Sequence, residues 1–176
     1  MSGKEAENKK QVEALTRLYE EKYEKMARYI FVRIGNQQEA EDLASETFVR
    51  ALKSLDSYQE RGLPMEAWIF KIAHNLIIDY LRRASKKQMV PIDDVVIQDS
   101  ANTEEAAESD IQIGKVSEAL KLLPQSQREV IELRFFADLS SIEAGKVLNK
   151  KPGAVREMQR VALQSLRKTM DREMRT

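Results

Sequence analysis

From Ala67 to Arg83 the chain reads Ala-Trp-Ile-Phe-Lys-Ile-Ala-His-Asn-Leu-Ile-Ile-Asp-Tyr-Leu-Arg-Arg, and this stretch restricts the fold more than any other. Trp68, Ile69, Ile72, Leu76, Ile77 and Tyr80 recur at steps of three and four, which predicts a helix with one buried face. The opposite face carries Lys71, His74, Asn75, Asp79, Arg82 and Arg83, and Lys86 and Lys87 extend the positive charge beyond the apolar pattern. A helix packed on one side and basic on the other can hold a phosphate backbone without disturbing its core. The same pattern also describes an ordinary solvated amphipathic helix, so its neighbours must decide.

Charge distribution sharpens the question. The 176 residues carry 29 basic and 29 acidic side chains, so no global attraction to polyanions follows. Between Gln88 and Gly114 there is no Lys or Arg but seven acids (Asp93, Asp94, Asp99, Glu104, Glu105, Glu108 and Asp110). From Lys150 to Thr176 eight basic residues face three acids. A neutral total thus hides an acidic middle between basic segments.

Other chemistries lack their residues. Without cysteine there can be no disulfide, thiolate metal site or cysteine nucleophile, and a single histidine, His74, argues against a protein-held zinc. There is no phosphate-cradling Gly-rich loop and no nucleophile paired with a base, so neither an enzyme, a cofactor nor a small-molecule substrate is expected. No apolar run reaches the roughly 18 residues of a membrane span. The charged N-terminus does not resemble a signal peptide, and a cytoplasmic protein without membrane insertion is expected.

Taken in order, Val12 to about Ile34 shows helical spacing, as one long helix or two short ones, closed by Gly35-Asn36. Glu39 to Leu55 forms a second helix, with Ala40, Leu43, Ala44, Thr47, Phe48, Ala51, Leu52 and Leu55 inward. A turn-rich connector, Asp56 to Pro64, leads into the basic helix. Pro91 to Asp110 is poor in large apolar residues and is expected to be a flexible acidic tether. Helices resume at Ile111 and again after Pro124. Ser140-Ser-Ile-Glu143 is a capping box that opens a short helix. A last helix begins near Pro152, with Val155, Met158, Ala162, Leu166 and Met170 inward. A short helix, a tight turn and a longer basic helix spell helix-turn-helix, whose second helix enters the major groove. Its early outward residues are Ala154, Arg156, Glu157, Arg160 and Val161. Arg can pair bidentately with guanine, and Glu can accept from cytosine. The expected fold is all-α: two small helical domains, 1–90 and 111–176, joined by an acidic linker over 91–110.

Three blocks in order resemble a bacterial extracytoplasmic-function (ECF, group 4) RNA polymerase sigma factor of the sigma-70 family. Glu39-Ala-Glu-Asp-Leu-Ala-Ser-Glu-Thr-Phe-Val-Arg-Ala51 resembles region 2.2, and Trp68 to Arg83 resembles regions 2.3 and 2.4. Leu123-Pro-Gln-Ser-Gln-Arg-Glu-Val-Ile-Glu-Leu-Arg134 with the helix-turn-helix resembles region 4. The resemblance implies a subunit that binds core polymerase, through the clamp helices and flap of its large subunits, and recognises and melts promoter DNA. It places the clamp contact on Asp42, Leu43, Glu46, Thr47 and Arg50. It places −10 recognition on Tyr58, Gln59, Arg61, Trp68, Lys71, Asn75, Arg82 and Arg83, with Tyr58 or Trp68 able to stack on a base flipped out of the duplex. Recognition of −35 falls on Lys151, Ala154, Arg156, Glu157, Arg160 and Val161. An anti-sigma factor is an expected further partner.

The pattern departs from the family's in places. Val161 stands where many members carry Arg, and Lys151 where a capping Ser or Thr is usual. Ser141-Ile-Glu-Ala-Gly145 replaces a more typical Tyr-Glu-Glu-Ile-Ala, and Met65-Glu66 a frequent Phe-Arg. Two other functions compete with promoter initiation: a sigma mimic that sequesters an anti-sigma factor, and an autonomous helix-turn-helix regulator using residues 111–176. The retained Lys71, Arg82, Arg83, Arg156 and Arg160 weigh against the mimic, and the region 2.2 block against the regulator.

Overall fold

The computed structural model describes residues 2–59, 62–88 and 107–175. Seven α-helices account for most of them: α1 (Gly3–Ile34), α2 (Gln37–Lys53), α3 (Met65–Gln88), α4 (Ala107–Leu120), α5 (Gln125–Ile131), α6 (Ser141–Leu148) and α7 (Pro152–Arg175). No strand occurs among the described residues. Nor is any of these helices long and apolar enough to cross a membrane. The expected tether lies outside the described residues up to position 106, and α4 begins four residues before the expected start at Ile111.

The first unit is a three-helix bundle. Helix α1 is continuous and starts well before Val12, because Ser2 and Glu5 cap it reciprocally ahead of three polar turns. Gly35, at φ 75°, ends it in the left-handed conformation, and Asn36 accepts the Glu39 amide at 3.0 Å to open α2. Along α2, Ala40, Leu43, Ala44, Thr47, Phe48 and Ala51 are buried. The Thr47 hydroxyl is tolerated there because it donates to the Leu43 carbonyl at 2.7 Å. Leu52, expected inward, is 55% exposed. Helix α3 contributes Ala67, Ile69, Phe70, Ala73, Leu76, Ile77 and Leu81 to the core. Its buried face is therefore centred beside the one marked by Trp68, Ile72 and Tyr80, which are only half-buried. The Tyr29 and Phe70 rings meet edge to face at 5.5 Å.

The second unit contains the helix-turn-helix. Helix α5 widens after Ile131 into a π-helical turn over Glu132–Phe136, and the Ala137 amide bonds back to the Glu132 carbonyl. Ser140 and Glu143 form the expected capping box of α6. Asn149, left-handed at φ 56°, ends α6. The turn is tight because the Lys150 amide donates to the Gly145 carbonyl at 2.7 Å. A Cβ on Gly145 would lie 2.4 Å from the Lys150 carbonyl oxygen, so only glycine fits this backbone approach. In α7, Val155 and Ala162 are buried as expected, whereas Met170 is exposed. Arg134 ties the motif together, donating to the Leu139 carbonyl at 2.6 Å and to Gln159 at 2.9 Å.

The two units share a core. Ile30, Phe70 and Ile77 of the first and Val130, Leu133, Leu139, Ala144 and Val147 of the second belong to one buried apolar cluster. Full burial of each Val, Leu, Ile or Phe side chain among them contributes about 1.5–3 kcal/mol. Polar contacts border the seam: Lys25 pairs with Asp138 at 2.5 Å, and the Ser117 hydroxyl donates to the Val32 carbonyl at 2.8 Å.

Candidate nucleic-acid and polymerase interfaces

The outer face of α2 presents the first candidate surface. Asp42 and Arg50 are exposed and Glu46 is half-buried. Arg50 donates through Nε and Nη2 to Glu46 Oε1, at 3.1 and 2.8 Å, which holds both charges one turn apart. Leu43 (5% exposed) and Thr47 (0%) must be corrected from surface to core: both point into the bundle and cannot touch a partner directly. Beside the charged face lies a groove of about 300 Å³ lined by Val12, Leu15, Thr16, Tyr19, Phe48, Val49 and Leu52 among others. Val49 carried no role in the sequence reading and Leu52 was expected inward; both are instead exposed on a packed helix, which marks them as part of this surface.

The connector and α3 form the second surface. Tyr58 is 7% exposed; its hydroxyl donates to the Leu63 carbonyl at 2.9 Å and its ring lies 4.8 Å from Trp68. Tyr58 is therefore corrected from a free stacking platform to a brace that fixes the connector against Trp68. Trp68 is half-buried and keeps part of its surface accessible, and Gln59 is exposed. Arg61 lies outside the described residues. Lys71, Asn75, Arg82 and Arg83 are all exposed, as are Lys86 and Lys87. At about 100° per residue, Lys71, Asn75, Arg82 and Lys86 fall within a stripe about 60° wide and about 22 Å long, with Arg83 on its flank. Lys71, Arg82 and Arg83 make no ion pair with another described residue. His74 sits under this face; burial lowers its pKa, partly opposed by Glu129.

The third surface is the start of α7. Lys151, Ala154, Arg156, Glu157 and Arg160 are exposed and Val161 is half-buried. Here the charges are partnered within the chain. Arg160 donates to Glu157 through Nε (3.1 Å) and Nη2, which lowers the carboxyl pKa and raises that of the guanidinium. Arg156 reaches Ser141 of α6 at 3.3 Å. These bonds orient the donors but must be exchanged before either arginine can bind a base edge bidentately.

Two sequence families match parts of this chain: Sigma-70 region 2 over residues 18–87, and Sigma-70 region 4 over residues 119–168. The ECF RNA polymerase sigma factor ShbA of Streptomyces griseus is 37% identical over 132 residues, covering 72% of this chain and 69% of that protein. The ECF RNA polymerase sigma factor SigD of Mycobacterium tuberculosis is 31% identical over 149 residues, covering 81% of this chain and 70% of its own. BldN of Streptomyces coelicolor is 32% identical over 161 residues, 89% of this chain, which spans only 60% of that longer protein. Among solved structures, CnrH in complex with the cytosolic domain of CnrY superposes with a TM-score of 0.68 at 25% identity, over 90% of this chain and 88% of that one. The sigma factor RpoE of Bartonella quintana, solved with the anti-sigma factor NepR, gives 0.71 at 20% identity, over 89% of this chain and 96% of that one, a likeness of fold.

Proposed function

The chain belongs to the ECF RNA polymerase sigma factors, and from that premise we propose that it is a dissociable initiation subunit of the cytoplasmic enzyme, within group 4 of the sigma-70 family. In this proposal residues 1–90 bind core polymerase and the −10 element, 91–110 link the domains, and 111–176 recognise the −35 element. Asp42, Glu46 and Arg50 meet the polymerase clamp, with Leu43 and Thr47 holding their helix in place. Lys71, Arg82 and Arg83 neutralise phosphates and set register, while Asn75, Gln59, Arg61 and the accessible part of Trp68 meet bases of the opened strand. Trapping an extruded base offsets the cost of unstacking the duplex, which is how a protein without a catalytic residue promotes melting. Lys151 and Arg156 anchor the −35 backbone, and Ala154, Glu157, Arg160 and Val161 face base edges.

The observation that carries this proposal is the α3 stripe, which keeps Lys71, Arg82 and Arg83 exposed and without ion partners among the described residues while the opposite face of the helix is core. A mimic that only occupies an anti-sigma factor has no use for it. An anti-sigma factor remains a proposed partner, supported by the occupied states in which similar folds have been solved. The test is run-off transcription with core polymerase, this protein and fragmented genomic DNA of its host. Discrete transcripts that require the protein are expected; absence of both transcripts and core binding would reject the proposal.

A further inference from the structure

Helix α7 can present one face to a groove only if its rotation is fixed, and most of what lies under it is poorly suited to fixing a rotation. Val155 and Ala162 are buried there and Met158 is half-buried. Val and Ala are short, Met is flexible, and apolar contact is non-directional, so these residues set how close α7 comes more than how it is turned. One contact on this side is directional. At about 100° per residue, Gln159 lies about 40° from Val155 and about 60° from Ala162, on the packed side of the helix. It is half-buried, and its Oε1 accepts from Arg134 Nε at 2.9 Å. Arg offers no acceptor, so the amide must turn its oxygen to it.

The same guanidinium donates through Nη1 to the Leu139 carbonyl at 2.6 Å. Leu139 precedes Ser140, the N-cap of α6, and its own amide returns to the Leu133 carbonyl at 3.0 Å. Asp138, left-handed at φ 54°, turns the chain just before it. Arg134 itself belongs to the π-helical turn over Glu132–Phe136. One half-buried planar group therefore joins the end of α5, the lead into α6 and the middle of α7, and the planarity of its fork fixes angles as well as distances.

We propose that Arg134 and Gln159 are positioning residues for −35 recognition: they hold α7 at the rotation that aims Ala154, Glu157, Arg160 and Val161 at base edges. This inference rests on the proposed function. Side chains reach about 5–6 Å from a helix axis, so a turn of about 20° moves them by about 2 Å. A recognition contact keeps its geometry only within about 0.5 Å. A small loss of rotational order thus blunts several base contacts together. Neither residue reads a base itself. Gln159 sits about 100° round the helix from Arg160 and turns its oxygen inward, and Arg134 directs its donors to the chain.

The test uses holoenzyme assembled from core polymerase and the full chain, on a promoter duplex mapped by run-off transcription. The quantity read is the affinity penalty for each single base substitution across the −35 element, expected at about 5- to 150-fold at the positions read by the unaltered protein. Gln159→Met keeps the length of the side chain but removes the acceptor, and should shrink these penalties at least threefold at two or more positions. Arg134→Lys keeps the charge but not the fork, and should do the same. Gln159→Glu keeps an acceptor, and should leave every penalty within about twofold. Its added charge weakens binding to all the duplexes alike and cancels in the penalties. A partly unfolded variant lowers only the active concentration, so loss of stability does not imitate the expected pattern. Unchanged penalties in Gln159→Met and Arg134→Lys would overturn the inference, since packing alone would then aim α7. Loss at a single position would overturn it too, because Gln159 would then be a reader, as would a Gln159→Glu variant no better than Gln159→Met. If the unaltered holoenzyme shows no penalty at any −35 position, the −35 reading itself fails and this inference with it, a result distinct from a failure in the variants alone.

Discussion

The basic faces of α3 and α7 offer similar side chains in different states. On α3, Lys71, Arg82 and Arg83 stand exposed without ion partners among the described residues; on α7, Arg160 is clasped by Glu157 and Arg156 leans on Ser141. Unpaired cations gain from counterion release with any phosphate they meet, so in the proposed function the α3 face supplies affinity with little discrimination. Paired cations must give up one good bond for another, so they gain only where the new partner has matching geometry. The first surface suits a strand that is being opened, and the second a duplex that is being read.

The largest effect expected from breaking this contrast comes from reversing the α3 charges. Arg82→Glu with Arg83→Glu should abolish run-off transcription while leaving core binding, followed by native gel or anisotropy, within about twofold. Next comes the turn that aims α7. Gly145→Ala places a methyl against the Lys150 carbonyl, and should cost about 1–3 kcal/mol of stability by thermal melting while weakening −35 binding. Removing a single reader should be milder and selective. Arg160→Ala should lose about 1–3 kcal/mol at one base position of the −35 element, measured with a panel of substituted duplexes, with little change at the −10 element. The smallest effects sharpen rather than break the comparison. Arg82→Ala should weaken binding to all sequences alike and reduce the log–log salt slope by about 0.7–0.9. Tyr58→Phe should cost about 1 kcal/mol, through the lost bond to the Leu63 carbonyl, and leave the salt slope unchanged.

Much of this architecture was legible in the chain. The Ser140 capping box, the Pro152 helix start and the charged face of α3 are local features, and each formed where the pattern placed it. Periodicity was less able to fix the phase of a helix at its margins. Leu43 and Thr47 share a stripe with Asp42 and Glu46 to within one residue, and only packing against α1 and α3 decides which of them is covered. Tyr58 was misplaced for a related reason: an aromatic residue in a connector looks available until a neighbour such as Trp68 closes over it. The seam was invisible altogether. Arg33 and Glu132 are 99 residues apart and look like ordinary surface charges; only tertiary packing across the units buries them.

In the proposed function the two faces part company at promoter opening, so permanganate footprinting of a promoter mapped by run-off transcription tests the account most directly. With core polymerase and the unaltered protein, thymines at the −10 element should become reactive. Arg160→Ala should preserve that reactivity once enough protein is added to restore occupancy, whereas Arg82→Glu with Arg83→Glu should remain unreactive even at full core occupancy. Normal thymine reactivity in the α3 variant would contradict the assignment of melting to that face.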